Sequence, residues 1–339
     1  MTRSKTSFLL LTGLLALPAS AEDLDGVAGL SRSDGVALRI ASYNVYWGSV
    51  FPQDNGEPPL PEGKRSIDDR TQQFIRVHQA VLPDVWALQE VLYSEAERQT
   101  KTVAGMERYF SAATGVDWHT AADNNGRMVF SRYPIKWQKE VAVRVFGVLI
   151  DVPQSVASQD VLLLNLHLGG GTPVSLKSAK DAAAFLQRVL AGKVPEVPDD
   201  VMVVVCGDFN CRSHHKPYRI LRSLDPNVAA EGELEWVLQD AHPRHLELQE
   251  DATIGKIDLD SDPPVMIGNR IDYVLYRPDR LDAVNSFILN TVVLDDETLE
   301  RHNLIRNDVA VDPNDEVSGK LGLDHLPLVV DFRVQPTEQ

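Results

Sequence analysis

Cysteine is almost missing from this chain: Cys206 and Cys211 are the only two in 339 residues. A disulfide framework is therefore excluded as the basis of the fold. A single Cys206–Cys211 bridge remains conceivable, because a turn could bring the two Cα atoms within about 7 Å. Long apolar runs are absent too. The first one, Phe8 to Pro18, follows Arg3 and Lys5, precedes Ala19-Ser20-Ala21, and falls well short of the ~20 residues that span a bilayer. That pattern predicts a signal peptide, residues 1–21, cleaved after Ala21. It implies export to a periplasm or out of the cell, without stable membrane insertion, and no cysteine follows the cleavage site to carry a lipid. Positive charge is scarce as well: 33 Lys and Arg stand against 49 Asp and Glu, a net of −16. Losing residues 1–21 removes two bases and no acid, leaving 31 against 49, a net of −18. Such a surface excludes a protein that grips polyanions or anionic membranes through a general basic face. Phosphate chemistry here would need local positive charge or a metal. Internal repeats and low-complexity tracts are also lacking, and the Pro-rich stretch 51–63 reads as a surface loop.

What is present is an ordinary globular composition, 43% hydrophobic and 24% charged. It can bury a full core without disulfides or a partner, so a monomer is expected. After a polar segment at 22–35, strand-like and helical patterns follow one another through a single domain, 36–335. Strand patterns cover 38–46, 85–89, 128–130, 141–150, 161–167, 201–206, 271–276, 287–294 and 328–334. A helix is predicted from Ser66, with Asp69 completing a capping box, to the stop at Pro83. A second runs from Val174 to Leu190 and ends at Gly192. His78 lies on the apolar face of the first helix and reads as a core histidine. VLLLNLHL and VMVVVC are continuously apolar, as expected of strands covered on both faces, which suggests stacked sheets with helices outside.

Six strands end in polar residues that a strand does not need: Asn44, Glu90, His167, Asp208 with Asn210, Asp272, and Asp324 with His325. Charges beside buried strands cost several kcal/mol unless they are paired or bound to metal, so the economical account is that these ends converge. Carboxylate and amide oxygens without a thiolate suit Mg²⁺ or Mn²⁺. Two histidines with neighbouring aspartates supply acid and base groups near neutral pH. A metal, a base and an acid around one pocket is what hydrolysis of a phosphate ester by water requires.

The set SYNV at Asn44, LQE at Glu90, FSRYPI from Phe130, NLHL at His167, GDFN at Asp208 and Asn210, RIDYVL at Asp272 and DHLP at Asp324 and His325 resembles the endonuclease/exonuclease/phosphatase superfamily, with the motifs in the family's order. The resemblance implies an α/β four-layer sandwich, two face-to-face mixed β-sheets flanked by helices, with the site at one edge of the sheets. It implies Glu90 as the main metal ligand, supported by Asn44 and Asp324. Asp208 and Asn210 would position the attacking water and the phosphate. His325 would serve as base or phosphate ligand, oriented by Asp272, and His167 as a second catalytic histidine. Within GDFN, Gly207 would allow a tight turn and Phe209 would pack underneath.

Two features depart from the family pattern. NNGRMVF places Arg127 before SRYPI, as a substrate-phosphate contact or a solvated charge. Leu323 stands where a serine usually precedes the final Asp-His. After GDFN comes a basic stretch in an acidic protein, in which Arg212, His214, His215, Lys216 and Arg219 either bring positive potential to the pocket mouth, with Arg212 a possible phosphate contact, or form a solvated helix start. The expected function is an exported, divalent-metal-dependent phosphoesterase, with nucleic acid the leading substrate. A sphingomyelinase-like phospholipase or a phosphatase of small phosphorylated metabolites is the alternative, and an inactive binding module a remote one.

Overall fold

The computed structural model describes residues 30–45, 50–55, 68–92, 101–170, 173–229, 235–248, 250–258, 260–261, 264–306, 308–309 and 324–335. The predicted signal peptide, the Ser66 cap and part of the Pro-rich loop lie outside them.

In chain order the elements are β1 (Leu38–Asn44), α1 (Asp68–Val81), β2 (Val85–Gln89), α2 (Val103–Thr114), β3 (His119–Ala122), β4 (Met128–Ser131), β5 (Ile135–Ala142), β6 (Val145–Ile150), β7 (Val161–His167), α3 (Pro173–Leu190), β8 (Met202–Asp208) and α4 (Lys216–Ser223). There follow β9 (Gln239–Asp240), β10 (Arg244–His245), β11 (Ile254–Asp258), β12 (Val265–Asn269), β13 (Asp272–Tyr276), β14 (Leu281–Ile288), α5 (Asp296–Arg301) and β15 (Leu328–Val334). The first sheet runs β10-β14-β15-β1-β2-β4-β3 and the second β5-β6-β7-β8-β13-β9, with β11-β12 a separate hairpin. Both large sheets mix parallel and antiparallel pairs, for β1–β2 and β7–β8 are parallel and most others antiparallel.

The period of two in the strands explains the continuous apolar runs. On β7, Val161 and Leu163 enter the core between the sheets, while Leu162, Leu164 and Leu166 enter a second core under α3 and α4. On β8, Met202, Val204 and Cys206 face inward, and Val203 and Val205 face the helices. The result is the expected α/β sandwich. His78 is buried in the core, where its Nδ1 accepts from Trp86 Nε1 at 3.2 Å. Burial lowers its pKa to about 4.

Two expectations need correcting, and the question of the cysteines is settled. The pattern over 141–150 is not one strand: a two-residue turn at Val143 and Arg144 folds it into the β5–β6 hairpin, with Arg144 in the left-handed region at φ 65°. Neither Gly, Asn, Asp nor Pro marks that turn. The strand expected at 287–294 lies earlier, at β14, where pairing with β15 fixes the register. The cysteines are unbridged and buried on different sides of the second sheet, Cys206 between the sheets and Cys211 under the helices.

Candidate active site

Strand register assembles the site. β7 and β8 pair His167 with Asp208, and β8 and β13 pair Asp208 with Asp272, so three functional side chains stand abreast on neighbouring strands. Across the gap, Asn44 ends β1 beside Gln89, and Glu90 follows immediately. Asp324 and His325 come just before β15. Two residues at the rim have left-handed backbone, Glu90 at φ 59° and Asn210 at φ 50°. Such conformations cost of order 1–3 kcal/mol and cluster where geometry matters more than stability. Gly207, at φ 128°, is forced by close approach: a β-carbon there would lie 2.1 Å from the Leu166 carbonyl oxygen. Phe209 is buried on the helix side, 5.0 Å from the Tyr273 ring.

Asp208 is the hub. It is 1% exposed; its Oδ1 accepts from the Asn210 amide at 2.7 Å, and its Oδ2 accepts from Asn210 Nδ2 at 2.8 Å and Asn44 Nδ2 at 3.2 Å. Asn44 Nδ2 also donates to Glu90 Oε1 at 3.0 Å. His167 Nε2 lies 3.4 Å from Glu90 Oε1 and 3.7 Å from Asp208 Oδ2. His325 Nε2 lies 3.7 Å from Asp208 Oδ2, while its Nδ1 is held by Asp272 Oδ2 at 2.9 Å. Asp324 stands at the edge, its Oδ1 4.0 Å from His325 Nε2.

The two histidines differ in charge state for physical reasons. Burial, with the Arg144 guanidinium next in weight, pushes the His167 pKa down to about 3, so the ring is neutral. Burial would do the same to His325, but the Asp272 and Asp208 carboxylates outweigh it and hold the pKa well above the ordinary value. Burial, aided by the charge of Asp272 against the opposing pull of His325, raises the Asp208 pKa to about 8.

These donors fit a hard divalent cation. Glu90, His167 and Asp208 each offer a ligand atom within 4.8 Å of the others, and so do Asp208, Asp272 and His325. The set is rich in oxygen and holds no thiolate. Burial raises the Asp208 pKa, so its carboxylate is costly to ionise without a bound cation. Glu90 is a member of the first cluster. Its partners there are His167 and Asp208, with Asn44 bonded to both carboxylates and Asp324 at the margin.

Arg127 is not a solvated charge. It is 1% exposed, with its Nε donating to Asp123 Oδ2 at 2.6 Å inside the β3–β4 turn. Its charge acts on the site through the protein, as one of the groups that keep His167 neutral. Arg212 is exposed with Ser213, His214, His215 and Lys216, and α4 starts at Lys216, so the basic stretch is both a surface strip and a helix start.

Sequence reading missed Arg144. The turn carrying it bonds to the site strand, His167 N donating to the Arg144 carbonyl at 3.2 Å, and its half-buried guanidinium lies over Gly169. A β-carbon at Gly169 would come within 2.9 Å of Arg144 Nη1. The sequence signal that could have found it is the glycine run 169–171, which begins two residues after the site histidine and makes room for a close neighbour.

A sandwich with carboxylates, amides and histidines gathered at one sheet edge defines a class of phosphoester-cleaving proteins. The Endonuclease/Exonuclease/phosphatase family is matched over residues 41–295, and the chain belongs to that family. Among solved structures, it is similar to an endonuclease/exonuclease/phosphatase family protein from Bacteroides thetaiotaomicron, with 15% identity, 88% of this chain and 98% of that one covered, and a TM-score of 0.52. It is similar to the mannosyl-6-phosphatase Bt3783 of Bacteroides thetaiotaomicron VPI-5482, with 15% identity, 87% and 99% covered, and a TM-score of 0.52. The human Nocturnin catalytic domain, with bound sulfate, shares 14% identity, 88% and 94% coverage, and a TM-score of 0.51. At these identities the likeness is one of fold. Comparison with the curated proteins gives no match.

Proposed function

We propose that this chain is an exported phosphoesterase that uses Mg²⁺ or Mn²⁺ to hydrolyse phosphate esters, with nucleic acid as its leading substrate. The observation that carries the reading is the packing of Glu90, His167, Asp208, Asp272 and His325 into two overlapping clusters of ligand atoms. A divalent cation bound there neutralises phosphoryl oxygens and lowers the barrier to attack. Glu90 and Asp208 would hold it, with Asn44 orienting both carboxylates and Asp324 adding charge at the margin. Asp272 fixes the ring of His325 and keeps it protonated, so its Nε2 can meet a phosphoryl oxygen or give a proton to the leaving oxygen. Asp208 and Asn210 orient the water, the carboxylate taking its proton. His167, neutral, donates from Nε2 to an acceptor in the pocket, and Arg144 holds a phosphate oxygen above Gly169. Export rests on the charged, apolar and small-residue pattern of residues 1–21.

The exposed strip from Arg212 to Lys216, starting two residues after Asn210, favours an extended anionic substrate. The net charge of the whole chain, −16, favours a small phosphate instead. The test is hydrolysis by residues 22–339 with Mg²⁺, Mn²⁺ or EDTA, against plasmid DNA, RNA, sphingomyelin and inositol phosphates. Metal-dependent cleavage of DNA or RNA is expected. Turnover of a small phosphate or lipid alone would remove the nuclease reading and keep the site.

A further inference from the structure

One layer beneath the site lie buried polar groups that the chemistry above does not use. Asn165, on β7 two residues before His167, is fully buried and reaches across the gap to the first sheet. Its Nδ2 donates to the Leu88 carbonyl at 2.9 Å and the Met128 carbonyl at 3.1 Å, and its Oδ1 accepts from Gln89 Nε2 at 2.8 Å. Gln89 Nε2 also lies 3.3 Å from Ser42 Oγ, and the Cys206 thiol bonds Ser42 across the same gap. Each member sits one or two positions before a site residue: Ser42 before Asn44, Gln89 before Glu90, Asn165 before His167, Cys206 before Asp208.

The surrounding core between the sheets is largely apolar, and an amide there adds little stability of its own. Each bond of a paired buried amide gains only a little net free energy, and replacing both partners of such a bond by apolar groups of the same shape is often neutral. Gln89 Oε1 has no hydrogen-bond partner among the described residues, so this filling is not the most stable one. What directional bonds supply, and apolar contact does not, is a fixed position of one sheet against the other. The site needs that. Several of its contacts cross the gap: His325 to Asp272 at 2.9 Å, Asn44 to Asp208 at 3.2 Å, Glu90 to His167 at 3.4 Å, and His325 to Asp208 at 3.7 Å.

We propose that Asn165 is a positioning residue that clamps the end of β2 to β7 and thereby sets Glu90 at the separation from His167 and Asp208 at which a divalent cation is held. This inference rests on the metal-dependent reading of the site.

The test measures Mn²⁺ binding by calorimetry and thermal unfolding in EDTA for the wild type, Asn165→Leu and Gln89→Met. Asn165→Leu leaves the Leu88 and Met128 carbonyls and Gln89 Nε2 without that partner, and each group left unsatisfied costs stability, so it is expected to melt several degrees below the wild type but to stay folded at about 25 °C, where binding is measured. It should nevertheless bind Mn²⁺ at least tenfold more weakly, with kcat reduced more than KM is raised. Gln89→Met keeps the two carbonyl bonds of Asn165 and should weaken binding in the same direction but less. A folded Asn165→Leu variant that binds Mn²⁺ as the wild type does overturns the inference. If Asn165→Leu fails to fold, unchanged Mn²⁺ binding by Gln89→Met overturns it equally. A wild type that binds no Mn²⁺ would instead overturn the metal reading on which the inference stands.

Discussion

Asp208→Asn should abolish hydrolysis and yet make the metal-free protein more stable. The carboxyl is buried, and its pKa rises from 3.8 to about 8, chiefly through burial and then through Asp272. An unfolded chain at pH 7 has this group ionised, so folding without metal either buries a charge or takes up a proton. At 1.36 kcal/mol per pH unit, the displacement costs the metal-free fold up to about 4 kcal/mol at pH 7. Asn has the same shape and no such cost. It leaves Asn44 Nδ2 and Asn210 Nδ2 facing an amide, a loss of about 1 kcal/mol each. The net gain is about 2 kcal/mol, a rise of roughly 3 °C in melting temperature for a chain of this length. The sign is specific. A carboxyl whose folded pKa lies above its unfolded value binds more protons when folded, so wild-type stability in EDTA falls as pH rises from about 4 through about 8. The variant lacks that slope. Thermal unfolding of both proteins in EDTA at pH 5 and pH 8 measures it. Curves that stay parallel, or a variant less stable at pH 8, would refute the account of Asp208.

The same carboxyl makes metal binding release a proton: below about pH 8 the metal-free group is protonated, and Mg²⁺ affinity should fall up to tenfold per pH unit down to pH 6. Calorimetry in two buffers of different ionisation enthalpy checks this, and equal heats would contradict it. Gly207→Ala places a β-carbon 2.1 Å from the Leu166 oxygen at a φ of 128°, and should destabilise the fold by at least about 3 kcal/mol in urea unfolding. Arg144→Ala removes a half-buried guanidinium from above Gly169 and should lower kcat/KM about tenfold by raising KM, with stability nearly unchanged. Steady-state kinetics with unaltered KM would remove Arg144 from substrate binding.

The two central strands were legible because burial on both faces leaves a signature that tolerates little else: β7, but for Asn165, and β8 read as apolar runs ending in His167 and Asp208. Residues at their ends were legible for the complementary reason, since carboxylates and amides beside such strands need a common purpose. Turn geometry was not. Val143 and Arg144 reverse the chain without a residue that marks turns, because pairing of β5 with β6 and of β6 with β7 enforces the reversal. Arg144 was hidden with the turn. Arg127 had the right charge and neighbourhood, but Asp123, four residues back, claims it. Local sequence shows which groups are costly to bury, and only tertiary contacts decide which of them are already satisfied. The polar layer at Ser42, Gln89 and Asn165 belongs to the same category, for its bonds run between strands 47 to 77 positions apart.

The central claim is that the strand-end cluster is a cation-dependent hydrolytic site. Its most direct test is phosphate-ester hydrolysis by the purified protein with Mg²⁺, with EDTA, and with Glu90→Gln at saturating Mg²⁺. Hydrolysis that EDTA abolishes, Mg²⁺ restores, and Glu90→Gln lowers by at least about a hundredfold in kcat is the predicted result. Hydrolysis at the wild-type rate in EDTA, or undiminished in Glu90→Gln, would contradict it.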